Sequence, residues 1–141
     1  MTTIVASMRY VGIPYRDRGR DDRTGLDCWG LVMLWYRLER GIELPDYAET
    51  YASADDMHGS ALALAGNAGD GRWQELEPGA AARGDVIVLR IVGHECHTGV
   101  VVGRGMMLHT LHGHQSIIER YDALVWRNRV AGFYRWQGAT A

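Results

Sequence analysis

The chain predicts an α+β fold in which N-terminal helices pack on a small antiparallel β-sheet. Three observations point there. Asp27 to Arg40 holds a helical apolar period, with Cys28, Leu31, Val32, Trp35 and Leu38 at i, i+3, i+4, i+7 and i+10. From Val86 onward the period becomes that of strands. Helical pattern comes first and strand pattern afterwards, without the alternation that builds a parallel sheet. At 141 residues, 47% of them hydrophobic, the chain makes one domain, 1–141, with room for a proper core.

Each element has its own signal. Ile4, Val5, Met8 and Val11 recur at helical spacing behind Thr2 and Thr3, and the pattern stops at Gly12 and Pro14, so a short opening helix is expected. Tyr15 to Gly25 is a run of mixed charge around Gly19; it reads as a solvated loop, with one wall of a cleft as the functional alternative. In the main helix Asp27 can cap the start, Arg37 and Arg40 suit the negative end, and Gly41 can terminate it. After Pro45 the pattern is ambiguous until Ala54 to Gly66, where a small helix is expected. Val86 to Arg90 is a β-branched run behind a Gly84-Asp85 turn. His97 to Val102 and Met106 to Leu111 flank Gly103-Arg104-Gly105, Ser116 to Tyr121 alternates, and Val130 to Trp136 closes the sheet.

Composition removes several function classes. Fifteen basic residues against 17 acidic ones leave a formal charge of -2, so no electrostatic argument favours nucleic acid or an anionic membrane. All the basic residues are arginine, which excludes Schiff-base lysine chemistry and the phosphate-binding lysine of a P-loop. Cys28 and Cys96 are too few for a disulfide scaffold and read as free thiols. Neither a secretion signal nor an apolar run long enough to insert in a membrane is visible, so a protein acting outside its cell would need another carrier.

Nucleophilic chemistry is the sharpest reading of what remains. Cys28 opens a helix, where the dipole and the N–H groups of the first turn favour a thiolate over a thiol. Taken alone, it also reads as a small apolar residue of the helix stripe. His97, at the start of a strand, could deprotonate Cys28 and later protonate a leaving amine. If Gly103-Arg104-Gly105 is a three-residue hairpin loop, Val102 pairs with Met106 and Gly99 faces His109. His97 is then the diagonal neighbour of His109 on one face, where His109 could hold its tautomer. A two-residue loop would put the two rings on opposite faces.

These segments resemble the successive motifs of the NlpC/P60 cysteine peptidases. They are Gly12-Ile13-Pro14-Tyr15, Asp27-Cys28-Trp29-Gly30-Leu31-Val32, Gly84-Asp85-Val86-Ile87, His97-Thr98-Gly99-Val100-Val101-Val102-Gly103 and Leu108-His109, in the family's order, within residues 4–136. The resemblance implies a papain-like fold and cleavage of peptidoglycan stem peptides, typically next to γ-D-glutamate. By position it implies Cys28 as nucleophile, His97 as base and His109 as orienting residue. It implies Tyr15 beside the thiol, Asp27 meeting a substrate amino group, and Trp29, where many members have serine, lining or narrowing the cleft. An arginine of the Arg16–Arg23 loop could meet substrate carboxylates. The long Gly41 to Gly71 segment and the charged loop are more like the phage-tail branch, which implies other tail proteins as partners and the virion tail, or the host cytoplasm during assembly, as location. No cofactor is implied.

Two rivals stand beside this reading. His94, Cys96, His97, His109, His112 and His114 are residues that zinc prefers, although their spacing matches no established finger or HExxH pattern; His58 reads as exposed. A structural tail protein that keeps the fold with little hydrolysis is the other. Of the five tryptophans, Trp35, Trp126 and Trp136 fall in core-type positions rather than in a sugar-stacking arrangement.

Overall fold

The computed structural model describes residues 7–46, 72–91 and 94–138, with the backbone alone at 91 and 94–96. A 3-10 turn, Met8–Tyr10, leads into a small hairpin of β1 (Arg20–Asp21) and β2 (Gly25–Leu26), then helix α1 (Cys28–Arg40) and β3 (Trp73–Leu76). A second 3-10 turn, Pro78–Ala80, precedes β4 (Val86–Ile91), β5 (His94–Gly103), β6 (Met106–His109) and β7 (Ile117–Arg120). Helix α2 (Leu124–Arg127) and β8 (Val130–Trp136) end the fold. The main sheet has six strands in the order β3-β8-β4-β5-β6-β7, and every pairing is antiparallel.

The α+β expectation holds in outline and is corrected in proportion. The sheet is larger than expected, among the described residues only α1 is a helix of more than one turn, and a strand pair precedes it. Where the opening helix is expected, the described residues form a 3-10 turn, Met8–Tyr10; residues 1–6 and the helix expected over 54–66 lie outside the described residues. Strand β3 and helix α2 had no expectation. None of the described helices is long and apolar enough to cross a membrane.

Alternation along β4 and β5 buries both faces of the sheet, which is why Val86 to Leu89 reads as an unbroken apolar run. Val86, Val88, Val100, Val102, Leu108 and Tyr134 pack with α1. Ile87, Leu89, Val101, Met107 and Phe133 face the other way, against Trp126 of α2. Each such side chain, fully buried, contributes about 1.5–3 kcal/mol.

Helix α1 is buried all round from Cys28 to Tyr36 rather than along one stripe. Trp29 meets Trp73 edge-on at 6.2 Å, and Trp35 lies beneath the guanidinium groups of Arg40 and Arg83. Only past Tyr36 does the helix emerge, so Leu38, expected in the apolar stripe, is exposed. Gly41 ends it in the left-handed conformation, its N–H returning to Arg37 O.

Candidate active site

The head of α1 is fixed from below. Asp27 caps the helix: its Oδ1 accepts from Gly30 N–H at 2.7 Å and from Arg20 Nη1 at 2.8 Å, and its side chain is fully buried. Arg20 also reaches Asp46 at 2.8 Å, which turns part of the expected solvated loop into a brace for the helix start. Cys28 follows directly, 2% exposed, at the positive end of the helix dipole.

The base and its neighbour come from the sheet. Loop Arg104-Gly105 is closed by Gly103 pairing with Met106, and a bulge between Val101 and Gly103 absorbs one residue. Beyond the bulge Val101 pairs with Met107 and Val100 with Leu108, the register a three-residue loop would give. The two histidines therefore share a face: His97 Nε2 lies 2.8 Å from His109 Nδ1. Trp126 covers both, stacked on His97 at 6.1 Å and edge-on to His109 at 5.0 Å.

Sequence reasoning missed the next member. Glu119 Oε2 lies 2.6 Å from His109 Nε2, so Glu119, His109 and His97 form one hydrogen-bonded row. Its only sequence signal was alternation in Ser116 to Tyr121, since its approach depends on β6–β7 register, in which Met107 pairs with Glu119. Burial holds the His97 ring well below the usual imidazole range, and the charge of His109 would add to the effect. Burial also lowers His109, against the opposing pull of Glu119.

Cys28 packs in the cluster that α1 forms with the sheet, and His97 pairs with Leu89 of β4. Both are at the same end of the sheet. The Tyr36 hydroxyl donates to Gly84 O at the far end, and Cys28 lies about two helical turns back from it. Leu26 is tied through Pro14 and Tyr15 to His114, in the loop that follows His109.

The remaining expected residues divide. Tyr15 sits on the rim, its ring edge-on to His112 at 5.4 Å and its N–H donating to His114 O. Trp29 is 0% exposed and its Nε1 donates to Pro45 O at 2.9 Å, so it is a core residue and not a cleft wall. His112 and His114 are exposed, while both ring nitrogens of His109 are already engaged. His58 and the side chains of His94 and Cys96 lie outside the described residues.

The chain is similar to several known proteins. The model of the NlpC/P60 family matches residues 12–135. Tail tip assembly protein K of Escherichia phage N15 is 29% identical over 116 residues, covering 79% of this chain and 45% of that protein. The gamma-DL-glutamyl hydrolase of Bacillus subtilis is 28% identical over 130 residues, covering 91% of this chain and 27% of that protein. The chain thus spans less than half the length of either relative. The crystal structure of an NlpC/P60 family protein from Bacillus cereus has the same fold, with a TM-score of 0.66 at 20% identity over 96% of this chain and 39% of that one.

Proposed function

The chain belongs to the NlpC/P60 family, and on that premise we propose that it is a cysteine peptidase cleaving peptidoglycan stem peptides next to γ-D-glutamate, as part of a phage or prophage tail. One observation carries the reading: His97 and His109 are bonded at 2.8 Å under Trp126, at the end of the sheet where Cys28 opens α1. The names of the two relatives support the bond and the setting.

In this reading Cys28 attacks the amide carbon and transfers its proton to His97 Nδ1. Backbone N–H groups at the start of α1, that of Cys28 among them, hold the oxyanion. His97 then passes the proton to the departing amine, and water resolves the thioester. This reading requires the thiol and His97 to meet near the start of β5, where the β4–β5 register shifts between Leu89 and Arg90. Tyr15 and exposed His112 line the entrance, and Asp27 serves by fixing the helix start. The tail is the proposed location, with the host cytoplasm during assembly.

Digestion of purified peptidoglycan, with products identified by mass, tests this. Wild type releases stem-peptide fragments and Cys28→Ala releases none; equal release by both removes the cysteine mechanism. A second reading is a structural tail component with little hydrolysis. The near-complete burial of Cys28, 2% exposed, favours it. No fragments from either protein would select it.

A further inference from the structure

A row of three hydrogen-bonding groups has a direction, and the residue at its outer end sets it. The carboxylate of Glu119 offers only lone pairs, so the His109 nitrogen 2.6 Å away, Nε2, must carry the proton between them. A neutral imidazole carries one proton, which leaves His109 Nδ1 as an acceptor. The 2.8 Å contact with His97 then requires His97 Nε2 to donate. The proton of His97 is thereby committed to the interior, and its Nδ1 is left with the lone pair a base needs.

Three features keep this polarity in place. His109 is 0% exposed and Trp126 closes over both rings, so water does not compete for the ring nitrogens. Burial opposes the doubly protonated form of His109 that could donate in both directions. Glu119 is itself partly exposed on edge strand β7, so the row ends at solvent. Reversing the row would put a proton on His97 Nδ1 and leave nothing there to accept one from a thiol.

We propose that Glu119 is a positioning residue that, through His109, fixes the tautomer of His97 and so makes His97 Nδ1 the basic nitrogen. The inference rests on the reading of His97 as general base, but the tautomers themselves can be read without any turnover. In the full chain carrying 15N-labelled histidine, long-range 15N–1H correlation near neutral pH should give both His97 and His109 as Nε2–H tautomers. Glu119→Ala should release His109 into a mixture or the opposite tautomer. It should lower kcat on a synthetic stem peptide by about 10- to 100-fold, with KM changed by less than about twofold. Glu119→Gln keeps an acceptor oxygen and should restore both the tautomers and most of the turnover.

An Nδ1–H tautomer of His109 in the wild type would overturn the proposal. So would Glu119→Ala with wild-type tautomers, whatever its turnover, and so would a Glu119→Gln protein no better than Glu119→Ala. If the tautomers respond as described while Cys28→Ala hydrolyses the stem peptide as well as wild type, the row stands and the peptidase reading fails.

Discussion

A methyl group at Gly99 would stand 2.9 Å from Leu108 O and 3.1 Å from His109 Cβ. Both neighbours belong to the paired strand, so the contact is relieved only by moving β6 away from β5, and with it His109 from His97. Gly99→Ala is expected to destabilise the protein by about 1–3 kcal/mol and to lower hydrolysis more than it lowers stability, checked by urea unfolding beside peptidoglycan digestion. A variant as active and as stable as wild type would show that the gap has no role. At this scale the sequence was partly legible. Period-two alternation brought His97 toward His109 only on the condition of a three-residue loop, and the bulge between Val101 and Gly103 supplies that register. Glu119 was not legible, because an alternating segment carries no mark of which residue of β6 each position faces.

Helix α1 shows how an element can depart from its intrinsic preferences. Glycine inside a helix costs about 1 kcal/mol relative to alanine, and Gly30 lies in the first turn. A Cβ there would overlap Gly19 O and reach within 3.3 Å of Arg20 Nη1 and Asp27 Oδ1, the groups that brace the helix start. Gly30→Ala is therefore expected to lose about 1–3 kcal/mol despite the gain in propensity, seen as a lower thermal midpoint; a higher midpoint would refute the packing account. The helix limits were legible in Asp27 and Gly41, because capping is local chemistry. Its all-round burial was not, because Trp73 and Pro45, which enclose Trp29, come from distant segments. The same distance hid the hairpin β1–β2, whose Arg20 is held by Asp27 and Asp46 rather than left to solvent.

The stability of the whole molecule carries the signature of its histidine pair. His97 and His109 are both held below the ordinary imidazole value of 6.5, so the unfolded chain binds more protons than the native one once pH falls past that value. Their contribution is complete above about pH 6.5 and is lost as pH falls toward the native values, at up to about 1.4 kcal/mol per pH unit for each ring. Glu39, lowered first by the Tyr10 hydroxyl and then by Arg83, adds loss of the same sign in the carboxylate range. Urea midpoints should accordingly fall between pH 7.5 and about 5.5, before carboxylates titrate; a flat midpoint across that interval would mean the rings are not buried as neutral groups.

What the sequence determined by itself is the part governed by nearest neighbours: the limits of α1, the main runs of β4, β5 and β8, and the cysteine at a helix head. These follow from period, caps and turn residues, which act over a few positions. The tertiary structure decided the rest. Pairing of β6 with β7 placed Glu119 at His109, the bulge before Gly103 kept the two rings on one face despite a short loop, and packing on both sides of the sheet put Trp29 in the core. It also buried Cys28 in the cluster that α1 forms with the sheet. Each of these depends on which surfaces meet after collapse, and burial and register between distant strands have no counterpart in a local pattern.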